Sequence, residues 1–228
     1  MRILALETSS LTGSVAVLED DRVQGQTQLD PQQRTAQSFA PAIVRQLAEV
    51  AWRPQDLQLI AVTLGPGSFT GLRIGVTVAK TLAYVVGAQV IGLNTLQVIA
   101  AQTPAGIADV WAVLNAQRQQ LFAGRYRRHE PLWETVRDAE IVDNETWLQS
   151  LASGLAITGC GLAKLRDRLP AGVVLVDEAN WAPQAVTVGR LGYLAYQSGK
   201  RDDLWTLSPQ YYRRSAAEEV WESRKSDG

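Results

Sequence analysis

A chain of 228 residues that is 46% hydrophobic and 20% charged can bury a sizeable core without disulfide or metal staples. Its 22 basic and 23 acidic residues leave a formal net charge of −1, which excludes a broad electrostatic footprint for nucleic acid. One cysteine, Cys160, allows no internal disulfide, and with one histidine, His129, a zinc site of the usual His/Cys type cannot be built, so a metal would have to rest on oxygen ligands.

The opening "RILALETSS", "GSVAVLED" and "RVQGQTQL" read as three short strands in an antiparallel meander. The apolar run of the first is too short for a signal peptide or a spanning helix, so a soluble, cytoplasmic protein with no membrane partner is expected. Phe39, Ile43, Val44 and Leu47 recur at helical spacing and predict a helix over about 35–50. "LQLIAVTLG" is a continuous apolar run of strand length, which places it centrally with both faces covered. The turn "GPGSFTG" then leads into a helix over about 68–86, followed by a strand at "QVIGLN" and a helix at "TLQVIAAQ".

The second half repeats the plan. "VWAVLNAQ", "QLFAGRYRR" and "TVRDAEIV" form a second meander, followed by helix "NETWLQSL", strand "LAITGCG", helix "LAKLRDRL", strand "GVVLVD" and the long helix "TVGRLGYLAYQSG". Both halves share the order βββαβα, with a boundary near "QTPAGIAD" that divides the chain into lobes 1–104 and 105–228. The polar end of the chain carries Tyr211 to Arg214 and Trp221, the latter a candidate exposed contact together with Trp205.

"TLGPGSFTGLRIG" admits three readings. As a phosphate cradle it has a strand, a glycine turn and a helix N-terminus, but it lacks the Lys-Ser/Thr ending of a Walker loop, and Pro66 removes a donor. As a catalytic loop it offers Ser68 and Thr70 with no base at hand, so helix capping is their expected role. The third reading rests on spacing: Gly71, Gly75, Ala79, Ala83 and Gly87 recur every fourth residue and form a stripe of small side chains, flanked by Leu72 and Val76. Either another protein or the chain's own sheet must pack closely on that stripe.

"ILALETSS…GSVAVL", "IAVTLGPGSFTGLRIGVTVAKTLA" and "VIGLNTL" together resemble the TsaB (YeaZ) family, most specifically in "GPGSFTGLRIG". The likeness is strong to about residue 100 and thins to "AVLNAQRQQLFAGRY", "ITGCG" and "PQYYRR" beyond it. The resemblance implies the duplicated, two-lobed ASKHA α/β fold of actin-like proteins, sugar kinases and Hsp70. It also implies a non-catalytic subunit that pairs with TsaD and TsaE homologues in threonylcarbamoyl transfer to tRNA adenosine beside the anticodon, and pairs with itself when alone. ATP and a divalent metal would sit on the partners, and tRNA would be reached only through the complex. Gly71, Leu72, Arg73, Gly75, Val76, Ala79 and Ala83 become candidate partner-interface residues, on the expectation that Gly75→Leu folds but loses its partner. Glu7, Thr8, Ser9, Gly65, Gly67 and Ser68 become candidate vestigial nucleotide-facing residues. Glu7, Thr35, Thr63, Leu64 and Asn115 to Gln117 depart from the family's usual residues. The alternatives are a glycoprotease-like (M22) hydrolase and a stand-alone ASKHA small-molecule kinase.

Overall fold

A computed structural model describes residues 1–10, 12–33 and 35–213; Arg214 and Trp221 lie outside the described residues. Two five-stranded sheets form the frame. The first comprises β1 (Arg2–Glu7), β2 (Ser14–Glu19), β3 (Arg22–Gln28), β4 (Leu59–Gly65) and β5 (Gln89–Asn94), in the order β3-β2-β1-β4-β5. The second comprises β6 (Asp109–Gln117), β7 (Gln120–His129), β8 (Leu132–Asp143), β9 (Ala156–Thr158) and β10 (Val174–Leu175), in the order β10-β9-β6-β7-β8. Each sheet is an antiparallel meander extended by parallel strands on its first member, with β1 against β4 and β6 against β9. The duplication visible in the sequence is therefore a repeat of topology.

The strands read as unbroken apolar runs because both faces of the first sheet are covered. Leu4, Leu6, Val15, Val17, Ile60 and Val62 point toward α1 (Thr35–Glu49) and α2 (Phe69–Val86), where Phe39, Ile43 and Val76 meet them. Ile3, Ala5, Ala16, Leu18, Leu59 and Ala61 point the other way, toward Ala185, Val188 and Leu191 of α5 (Ala185–Gln197). Each large side chain fully withdrawn from water in this way stabilises the fold by about 1.5–3 kcal/mol.

The two sheets fall on either side of the segment near 104, but the helices do not. α3 (Thr95–Ala101), the last helix of the first half, places Leu96, Ile99 and Ala100 against Val110, Ala112, Phe122, Tyr126 and Trp133 of the second sheet. α5, the last helix of the second half, covers the first sheet. Each half covers one face of its own sheet and leaves the other face to a helix from the opposite half, so the division at 104/105 separates the sheets and cuts through the packing. On the remaining face of the second sheet, Trp147 of α4 (Asn144–Gln149) packs with Trp111, Leu121, Ile157 and Trp181.

The helix expected at "LAKLRDRL" is replaced by two 3₁₀ turns, Cys160–Lys164 and Arg166–Arg168. Leu162 and Leu165 are both buried, and their i, i+3 spacing matches the three-residue period of that helix type. The last strand shrinks to Val174–Leu175 at the sheet edge. α2 has the length and mean hydropathy, 1.3, of a membrane span, yet its Gly71, Leu72, Gly75, Val76, Ala79 and Ala83 are buried against the first sheet.

Candidate functional site

The glycine loop joins the C-terminal end of β4 to α2. Ser68 caps the helix by accepting the Gly71 N–H at 3.2 Å, while its own N–H donates to the Ser9 carbonyl at 2.7 Å. This pins the loop to the turn after β1. A Cβ at Gly71 would overlap the Thr8 carbonyl, and one at Gly75 would overlap the Thr8 hydroxyl. The small residues thus let α2 close onto the end of β1, and the stripe faces the chain's own sheet. Gly71, Leu72, Gly75, Val76, Ala79 and Ala83 are buried within the protomer. Gly87 belongs to a different device: it ends α2 in the left-handed region at φ 71°, with open space around it. Gly75→Leu is accordingly a core-disrupting substitution.

Arg73 stays at the surface, but its partners are internal. Its guanidinium lies 4.0 Å from the Phe69 ring centroid, and its Nε donates to the Tyr211 hydroxyl at 3.0 Å. The outer face of α2 continues through Thr77 and Thr81 to Tyr84 and Val85, which are 66% and 69% exposed. Trp205, 73% exposed, meets Tyr84 edge-on at 5.6 Å between centroids. α1 packs beside α2 and exposes Val44. Large exposed apolar side chains grouped as Tyr84, Val85 and Trp205 are here are the usual mark of a protein-binding surface. The sequence signalled Trp205 as an exposed contact; Tyr84 and Val85 were hidden by a helical pattern whose apolar residues all looked eligible for the core.

Between the lobes lies a cleft of about 1020 Å³. Ser9, Gly67, Ser68 and Leu72 line it from the first lobe, and Leu114, Asn115, Phe122 and Cys160 from the second. Of the six residues expected to face a nucleotide, Ser9, Gly67 and Ser68 do line this space. Glu7, Thr8 and Gly65 are buried behind it. The Glu7 carboxylate accepts the N–H and hydroxyl of Ser9 and the Ser10 hydroxyl, with the Thr63 hydroxyl 3.5 Å away. Burial outweighs these hydrogen bonds and pushes its carboxyl above the ordinary value of 4.5.

This donor set does not suit a magnesium-bound triphosphate. The strand-end carboxylate is occupied by its own turn and held toward the neutral form, and among the described residues no carboxylate lines the cleft. No group of three or more His, Cys, Asp or Glu side chains could hold a metal among those residues. Cys160 is exposed on the cleft wall; partial burial and the nearby Glu7 raise its thiol pKa. His129 ends β7 at the surface, 3.2 Å from Glu134.

Asn94 gave no signal in the sequence, yet it joins the lobes. Its Oδ1 caps α3 by accepting the Leu96 N–H at 2.9 Å and also accepts the Tyr126 hydroxyl at 3.3 Å; its Nδ2 donates to the Tyr212 hydroxyl at 2.9 Å.

Known proteins place this geometry in a lineage. A family model described as TsaD, tRNA N6-adenosine threonylcarbamoyltransferase, matches residues 31–156, more than half of the chain. The tRNA threonylcarbamoyladenosine biosynthesis protein TsaB of Bacillus subtilis is 30% identical over 99% of this chain and 100% of its own length. Its Escherichia coli namesake is 30% identical over 95% of this chain and 96% of its own. The solved structure of YeaZ from Pseudomonas aeruginosa superposes with a TM-score of 0.80 at 24% identity, over 92% of this chain and 99% of that one, and shares the fold. With its two repeated sheets arranged as an ASKHA fold, the chain belongs to the TsaB (YeaZ) family.

Proposed function

We propose that this chain is a non-catalytic subunit that binds a TsaD homologue and, with a TsaE homologue, supports threonylcarbamoyl transfer to tRNA adenosine beside the anticodon. The names of the Bacillus subtilis and Escherichia coli relatives support the pathway. The observation that carries the subunit role is the exposed apolar face of Tyr84, Val85 and Trp205 on and beside α2. With the glycine stripe turned inward, the role of the stripe is indirect: it seats α2 so that this outer face is presented at a fixed height above the sheet. Arg73 stays in the interface as a rim residue whose guanidinium is already oriented by Phe69 and Tyr211. Alone, the chain pairs with a second copy through the same face; ATP and a divalent metal are held by the partners, and tRNA is reached through the complex in the cytoplasm.

The test is light scattering during size-exclusion chromatography on the chain alone and mixed with TsaD of the same organism. A homodimer that exchanges into a one-to-one complex is the expected result. The double variant Tyr84→Asp with Val85→Asp should remain folded, since exposed substitutions shift stability by only about 0.5 kcal/mol, and should lose both associations. Unchanged affinity for TsaD in that variant would remove the face from the interface.

A further inference from the structure

After α5 the chain returns along the first lobe as a strap that is fastened at every step. Lys200 Nζ donates to the Gly92 carbonyl at 2.7 Å, and the Gly92 N–H donates to Asp202 at 2.8 Å. Lys80 of α2 donates to the carbonyls of Trp205 and Leu207 at 3.1 and 2.9 Å. The Gln210 N–H donates to the Leu64 carbonyl at 2.8 Å, where the missing side chain of Gly65 leaves room for the Gln210 backbone. Tyr211 stacks on Phe69 at 4.5 Å between centroids and accepts the Arg73 Nε–H. Up to this point the strap belongs to the first lobe.

Tyr212 touches both lobes, and Arg213 reaches the second. The Tyr212 ring meets Phe122 of β7 edge-on at 6.1 Å, and its hydroxyl reaches Asn94. Arg213 donates Nη1–H to the Ala116 carbonyl at the end of β6, at 2.6 Å, and Nη2–H to the Gln120 side chain. Gln210 to Arg213 form part of the cleft wall, together with Leu72 from one lobe and Leu114, Ala116 and Phe122 from the other. A guanidinium bonded to a main-chain carbonyl and a side-chain amide is a stronger tie than a neutral hydrogen bond. The three consecutive side chains thus run from the first turn of α2 to the β6–β7 hairpin.

We propose that Tyr211–Tyr212–Arg213 is an interlobe latch, which sets the width of the cleft by fastening α2 on one side to the β6–β7 hairpin on the other. Opening the cleft requires release of the Tyr212 ring and the Arg213 guanidinium from the second lobe, because Gln210, Tyr211 and the Tyr212 hydroxyl hold the strap to the first. Among the described residues the lobes are also joined through α3 and α5 and by the Tyr126 hydroxyl on Asn94, and they can turn about these joints once the latch is undone. This inference stands apart from the partner assignment, because it concerns the isolated chain.

The chain's single cysteine supplies one end of a ruler. Cys160 is exposed on the second lobe, and Thr70 is exposed in the first turn of α2. Spin labels on Cys160 and on Thr70→Cys report the distance across the cleft by double electron–electron resonance. With the latch intact the distribution should be narrow; adding Arg213→Ala should lengthen its mean and broaden it about twofold, as for release of a hinge. Arg213→Lys retains a charged donor and should fall between the two. Gln120→Ala, which deletes one of the two second-lobe acceptors of Arg213, should widen the distribution less than Arg213→Ala and serves as the probe if that variant proves unfolded by circular dichroism. A distribution unchanged in the folded Arg213→Ala protein, or in Gln120→Ala where the former does not fold, would overturn the latch.

Discussion

Glu7 shows what happens to a buried strand-end carboxylate whose hydrogen-bond partners among the described residues are hydroxyls and an N–H. Its proton is held more tightly in the folded chain than in the unfolded one. The stability this residue contributes is therefore fully present below about pH 4.5 and is lost as pH rises through the higher folded value. Glu7→Gln removes that loss, so the melting temperature of the variant relative to the parent should increase from pH 4.5 upward. Thermal scans across that range check it, and a constant difference would show that burial is not what governs Glu7. Asn94 is the opposite case, a polar side chain with each group paired. Asn94→Ala deletes the α3 cap and leaves Tyr126 and Tyr212 without their partner, which should cost about 2 kcal/mol in denaturant unfolding. At Gly75 a leucine must displace Thr8 from the end of β1, and overpacking of this kind costs about 3 kcal/mol. Gly75→Leu should therefore show a lowered melting temperature before any effect on association is read.

At the scale of elements, the strands were legible because the doubly covered sheet makes "LQLIAVTLG" and its neighbours apolar throughout. α2 was legible in extent and in its Ser68 cap. Its orientation was not, since a row of small residues records that something approaches closely without recording what. Thr8, which fills the space, lies more than sixty positions earlier in the chain, where no local pattern connects it to Gly71 and Gly75. The candidate site divides in the same way. Ser9, Gly67 and Ser68 reached the cleft because they sit in turns at strand ends, while the fates of Glu7, Thr8 and Gly65 depend on side-chain packing that spacing cannot express. The 160–168 segment was misread because Leu162 and Leu165 fit helical periods of both kinds, and Gly159 at φ 113° breaks the chain direction just before them. Glycines in α5 also carried a signal that went unused: Gly189 and Gly192 lie against Leu18, Ala5 and Ala61 of the first sheet, close contacts that bind this helix to the other half.

At the scale of the whole molecule, the reciprocal placement of α3 and α5 makes the two sheets mutually dependent. The fragments 1–104 and 105–228 would each expose the face that the other's helix covers. Each is expected to give a weak, non-cooperative circular dichroism melt alone, and the mixture to recover a single sharp transition; independent folding of either fragment would show that its own core suffices. The same arrangement has a meaning for descent. A repeat whose units each complete the other can no longer shed one copy or accept a replacement half from a distant relative, because the incoming segment would have to match a helix encoded on the far side of the junction. Substitutions on the faces of α3 and α5 are thus selected against partners in the opposite repeat, which ties the two halves into a single unit of inheritance.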